Sequence, residues 1–185
     1  FVNFIPLPIF INIAIAVGTG AIADGGVSTA IGKSAKANGI QSIAIGASAE
    51  SKRVKSIAIG HHAKSDGDYA IASGDYAIAS EERAIAIGKN SNAVGTSSIA
   101  FGPTSNSTQI NSIAIGVSSN AQQINAVALG ADATSSGSQS ISVGASAQAT
   151  KTASISVGQQ ATASGISAIA TGKSSQASGT NIIIE

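Results

Sequence analysis

Few residues in this chain could do chemistry. His61 and His62 stand side by side directly after Gly60, and Asp66, Asp68 and Asp75 follow closely. Imidazole is a common metal ligand and titrates near neutrality. Copies of His61 and His62 meeting about a symmetry axis could therefore hold a metal ion. The aspartates suggest calcium, which needs six to eight oxygen ligands. No Asp-x-Asp-x-Asp-Gly or Gly-Gly-x-Gly-x-Asp pattern occurs, so these residues read as a solvated loop and no metal is expected. Tyr69 and Tyr76 are the only tyrosines. Exposed aromatics are favoured where proteins bind partners. Tyr69, Tyr76, His61 and His62 are accordingly the candidate ligand contacts. Gly18-Thr19-Gly20 and Gly25-Gly26 look like phosphate loops, but no Gly-Lys-Ser or Gly-Lys-Thr loop opens a helix. Lys33-Ser34 and Lys173-Ser174 follow glycines inside an ordinary β-pattern. No catalytic residue, cofactor or enzymatic activity is expected.

The composition excludes several classes. Only 10% of the residues are charged and 3% aromatic, with no Met, Trp or Cys. Burial must come from Ile and Ala, which suits a thin, regular structure better than a compact core. The absence of Cys removes disulfide frameworks and Cys-based zinc sites. The net charge of +1 comes without a basic cluster, so no nucleic-acid partner is expected. The apolar start, FVNFIPLPIFINIAIAV, lacks the positive flank of a signal peptide, and Pro6 and Pro8 argue against a membrane span. No membrane contact is expected within the chain.

The dominant feature is a repeat, and self-similarity decides a fold before anything else does. Glycines fall every fourteen residues: Gly18, Gly32, Gly46, Gly60, Gly74, Gly88, Gly102, Gly116, Gly130, Gly144, Gly158 and Gly172. Each closes an apolar run such as Ile43-Ala44-Ile45 or Ile113-Ala114-Ile115. Small residues follow three and five places later, as at Ala35 and Ala37 or Ala161 and Ala163. At seven places Gly often recurs (Gly39, Gly67, Gly95), or Arg53, Gln123 or Lys151 replaces it. Period-two alternation inside such a unit means strands. A coil has room for two strands of roughly five residues and two tight corners. The invariant glycine marks a corner with positive φ or no space for a Cβ. The second corner should be looser and face water. The hexapeptide at 68–73, Asp-Tyr-Ala-Ile-Ala-Ser, returns at 75–80, so the two half-coils accept the same sequence.

These observations predict an all-β solenoid of about twelve coils over 15–185, preceded by an atypical, hydrophobic capping segment over 1–14. Pro6 and Pro8 in that segment would blunt the open strand edge. The chain ends one residue short of a thirteenth glycine, so the array is expected to continue. The roll interior is expected to hold Ile interdigitated with Ala. Ala and Ser would then line the other face of the first strand, where small side chains permit close approach of a second copy, although the pattern alone leaves open which face meets that copy.

The unit Ser-Ile-Ala-Ile-Gly-x-x-Ala-x-Ala-x-Gly, with close copies at 42–46, 56–60 and 112–116, resembles the YadA-like head of trimeric autotransporter adhesins. The resemblance covers about residues 15–185. It implies a left-handed parallel β-roll that assembles as a homotrimer on a Gram-negative surface, held in the outer membrane through a C-terminal region outside this chain. It also implies partners among extracellular matrix proteins, such as collagen or fibronectin, or other cell-surface ligands, engaged by multivalent contacts. The alternative is a rigid trimeric fibre segment of a phage tail or appendage, with a structural or receptor-tip role. Hexapeptide acyltransferases also use β-helices, but fourteen is not a multiple of six. Ice binding would want ordered ranks of Thr, whereas Thr19, Thr29, Thr96, Thr134 and Thr162 are scattered.

Overall fold

The structure, a computed structural model, describes residues 13–184. Two parallel sheets run the length of the chain. Three-residue strands, such as Ile43–Ile45 and Ile57–Ile59, stack into a 13-stranded sheet. Two-residue strands, such as Glu50–Ser51 and Lys64–Ser65, stack into a 12-stranded one. The register advances by one coil at each step: Ala44 pairs with Ala58 in the first sheet, and Ser51 with Ser65 in the second. We call them the isoleucine sheet and the polar sheet, after what they carry outside. The expected cap over 1–14 lies, apart from Ile13 and Ala14, outside the described residues.

The strands are shorter than expected because the corners take more of each coil. Both corners are hydrogen-bonded four-residue turns. Ala63 N donates to Gly60 O at 3.3 Å at the glycine corner, and Ser56 N donates to Arg53 O at 3.2 Å at the other. In each turn the third residue is left-handed, as in a type II turn. From Val27 to Asn181 every seventh residue is a non-glycine with φ between 54° and 59°. Such a conformation costs an ordinary residue roughly 1–2 kcal/mol. It persists because it aims the amide along the stack. His62 N donates to Ala47 O, Tyr69 N to Val54 O and Tyr76 N to His61 O, each at 2.9 Å, so the ladder continues through the corners.

The corner glycine is required twice over. Gly116 has φ +131°, a region closed to L-residues, and a Cβ there would stand 2.5 Å from Gly130 O in the next coil. The second corner needs no positive-φ glycine, and Arg53, Gln123 and Lys151 occupy its first position in some coils; where that residue is Gly39 or Gly67, an added Cβ would run into the carbonyl of Arg53 or Glu81 in the next coil.

The expected arrangement of the core is reversed. In Ile-Ala-Ile the alanine points inward and the isoleucines point out. Ala44, Ala58, Ala72, Ala86, Ala100 and Ala114 are completely buried, as are Ala35, Ala37, Ala49 and Ala63 from the polar half-coil. Among the described residues no fully buried side chain is larger than serine. The tight four-residue turns at both corners leave an interior lined by Ala and Ser, with no branched apolar side chain between the sheets. Strand alternation then sends the isoleucines to the outside.

Many buried serines are tied to the corners, whereas the hydroxyls of Ser28, Ser42, Ser98 and Ser156 have no hydrogen-bond partner among the described residues. Ser56 Oγ donates to Arg53 O at 2.7 Å and accepts from Arg53 N at 3.1 Å. Ser112, Ser140 and Ser154 repeat the contact on Gln109, Gly137 and Lys151. Ser51 and Ser56 also meet across the interior, hydroxyl to hydroxyl, at 2.6 Å. A buried hydroxyl needs such a partner to offset its desolvation.

Candidate functional site

With the interior filled by Ala and Ser, everything able to recognise a partner lies on the outer faces and corners. The two faces differ in chemistry. The isoleucine sheet presents two apolar columns, one from Ile15 through Ile43, Ile57 and Ile85 to Ile169, the other from Val17 through Ile31, Ile59, Phe101 and Leu129 to Val157. Only Thr29, Ser73 and Thr171 interrupt them. Phe101 is 50% exposed and Ile115 40%. A continuous apolar band of this length on one side of a rod marks an interaction surface.

The polar sheet presents one column, and apart from Ile22 and Ile78 it is hydrophilic: Lys36, Glu50, Lys64, Asn92, Asn106, Asn120, Thr134, Gln148, Thr162 and Gln176. Stacking in register lets its amides bond to one another. Asn92 Nδ2 donates to Asn106 Oδ1 at 3.3 Å, and Asn106 Nδ2 to Asn120 Oδ1 at 3.4 Å.

The fourteen-residue period assembles three of the four candidate contacts on one corner ridge. His61 and His62 occupy the second and third turn positions of one coil, and Asp75 and Tyr76 the same positions of the next. His61 Nδ1 and Asp75 Oδ1 lie 2.9 Å apart. The His62 ring stacks on Tyr76, with centroids 5.0 Å apart and planes 17° from parallel. His61 meets the same tyrosine edge-on at 5.3 Å. Tyr69 is not part of this cluster. It sits in the left-handed position of the opposite corner, with Lys55 Nζ 5.4 Å from its ring centroid. Both tyrosines are corner residues, not strand residues. Among the described residues no group of three or more His, Cys, Asp or Glu is placed to hold a metal ion.

Beside the ridge runs a feature the linear sequence did not suggest. A shallow groove of about 230 Å³ is lined by Ser34, Ser48 and His62 from the corner and by Lys36, Glu50 and Lys64 from the polar sheet. It exists because Ser34 and Ser48 are short where the next residues up the same column, His62 and Tyr76, are long. The signal was available: 36, 50 and 64, like 34, 48 and 62, are one period apart. Next to the groove Lys52 bridges two acids, Asp66 at 2.9 Å and Glu50 at 3.6 Å. The hydrogen bond to Asp66 holds the Lys52 ammonium above the usual lysine range, assisted by the nearby charges of Asp66 and Glu50.

Comparison with known proteins agrees with this geometry. The family model of the YadA head domain repeat matches residues 28–49, 54–77, 79–105, 107–133, 135–161, 149–175 and 163–181. A search of curated proteins returns no match.

Proposed function

Because the chain belongs to the YadA head domain repeat family, we propose that it is the head of a trimeric, surface-displayed bacterial adhesin. Three rods would pack their isoleucine sheets about a common axis and turn their polar sheets and corners to the medium. The observation that supports this most directly is the apolar band itself. Burying the exposed 40% of Ile115 would contribute about 0.6–1.2 kcal/mol per protomer, from the 1.5–3 kcal/mol of a fully buried aliphatic side chain. Repeated up two columns, such terms make a long, thin interface whose total is large although each coil adds little.

In this reading attachment to matrix proteins, cells or surfaces is made by the outer corners, where His61, His62, Tyr69 and Tyr76 are the proposed contacts. Each contact is weak, and three copies on a rigid rod supply avidity. The chain does no catalysis. Localisation follows the family: outside the cell, tethered to the outer membrane by a region beyond this chain.

The test is the solution mass by light scattering behind size exclusion. A value near three times 17.9 kDa is expected. Ile115→Asp, which would force three carboxylates into the dry centre, should return the single-chain mass while the β-signature in circular dichroism persists. A wild-type monomer would overturn the trimeric reading. With a trimer in hand, loss of cell and collagen binding in a His62→Ala/Tyr76→Ala variant is the expected result for the proposed contacts.

A further inference from the structure

We propose that the groove between the His62 corner and the polar sheet binds a linear anionic glycan, with Lys36 and Lys64 holding successive acidic groups. The inference rests on the reading of the chain as a surface-binding head and supplies a ligand class for it.

Four features of the groove point to this chemistry. The first is charge. The groove contains two ammonium groups and one carboxylate, and the carboxylate is already engaged, since Lys52 approaches Glu50 at 3.6 Å. The ion pairs of the described residues involve Lys52, His61 and Arg83, so Lys36 and Lys64 remain for an external anion. The second is spacing. Lys36 and Lys64 both pair with Glu50, one from each side, and so lie two strands apart. At roughly 4.8 Å per strand their columns are separated by about 10 Å along the rod. A ligand that satisfies both must be extended along the stack and carry its charges at intervals, as in a polysaccharide acidic at every second sugar.

The third is the wall material. Ser34 and Ser48 offer hydroxyls for polar ring substituents, and the His62 ring, braced from behind by Tyr76, offers an aromatic surface at one end. A groove this polar, with one flat ring at its end, suits a hydroxyl-rich ligand better than the apolar ligands that fill predominantly hydrophobic pockets. The fourth is size. About 230 Å³ of open groove takes one or two sugar rings, far less than the surface a folded partner needs. The site is weak by itself, and repetition over a trimer compensates. Nucleic acid fits less well: its closely spaced phosphates call for a dense run of cations, whereas the groove has two and the net charge is only +1. The same column farther along is Asn, Thr and Gln, so the cationic character is local.

The experiment measures retention of the full 185-residue chain on immobilised hyaluronan, heparin, dextran and duplex DNA at low salt. Wild type should be held by an acidic glycan and not by dextran; hyaluronan against heparin separates carboxylate from sulfate recognition. Lys36→Gln/Lys64→Gln should weaken that binding by about tenfold or more, as expected for two charge-assisted contacts. Lys151→Gln/Lys173→Gln, with the same charge change elsewhere on the rod, should bind as wild type. Thermal melts of both variants establish that the fold is kept. The proposal is overturned if neither acidic glycan retains the wild type, if both double variants weaken binding alike, or if DNA binds as well through the same lysines. A trimer that adheres to cells yet ignores glycans would sink this inference alone. A glycan-binding monomer would instead sink the head assembly.

Discussion

The inversion of the core can be tested by moving the same three carbon atoms to the two faces of one strand. Ala86→Leu adds them inside and Ile87→Ala removes them outside. Ala86 is fully buried, registered between Ala72 and Ala100, and faces an interior that admits nothing larger than serine. The opposite wall is made of Ala and Ser side chains from the polar half-coil, such as Ser91 and Ala93, which are too short to yield by a rotamer change. Overpacking costs 1–3 kcal/mol in adaptable cores, and about 3 kcal/mol or more is expected here. Ile87 is half-buried within one chain. At about 0.8 kcal/mol per methylene, removing three half-buried carbons costs about 1.2 kcal/mol in the isolated chain. The remainder of its effect falls on association and grows with protein concentration. Urea unfolding followed by circular dichroism at two concentrations reads both quantities. The loss from Ala86→Leu should be independent of concentration, and that from Ile87→Ala should depend on it. With isoleucine inside, the ranking would reverse: Ile87→Ala would leave a cavity worth 2–5 kcal/mol at any concentration, and Ala86→Leu would be mild. That reversed ranking would refute the structure's account of the core.

Further outcomes follow from the corners and the ion pairs. Gly116→Ala meets both a forbidden φ of +131° and the Gly130 carbonyl, so a loss of at least ~2 kcal/mol is expected in the same unfolding assay. Ala153→Gly should do the opposite. Its φ of 56° is strained for alanine by roughly 1–2 kcal/mol, and glycine gives back roughly 0.5–1 kcal/mol through its freer unfolded state, leaving a net gain of up to about 1.5 kcal/mol. Lys52 titrates above its ordinary value because it is bonded to Asp66. A group whose folded pKa is raised gives its stabilisation below the unfolded pKa and loses it as pH rises through the folded one. Melting temperature should therefore fall more steeply in strong alkali for wild type than for Lys52→Met, and the difference should stay small because the pair is exposed.

The repeat, the strand class and the invariant corner were legible in the sequence because glycine at a fixed interval has few explanations. The direction in which Ile43-Ala44-Ile45 faces was not. Alternation fixes that Ile and Ala lie on opposite sides, but both assignments satisfy it; the tightness of the corners decides, and that is a property of the backbone. The left-handed residues were hidden for a related reason. Lys55, Tyr69 and Arg83 are not turn formers, and they take that conformation because the stack supplies an acceptor for each amide. The grouping of His61 and His62 with Asp75 and Tyr76 was implicit in the period, since each pair sits fourteen residues from the other. Tyr69 looked equivalent to Tyr76 only because the two half-coils share a sequence.

That shared sequence has a consequence for how such genes change length. Both corners share one left-handed residue every seven, so a half-coil at 68–73 and one at 75–80 accept the same hexapeptide, but only one of the two corners demands glycine at its first position. Replication slippage by fourteen codons would lengthen or shorten the rod and leave both outer columns aligned, a silent change of reach. Slippage by seven would carry every later isoleucine pair across to the water-facing side and set residues such as Arg53 and Lys151 at the corner that admits only glycine. Selection on the array therefore acts through its surface, and rods of this kind should vary in whole coils and almost never in halves.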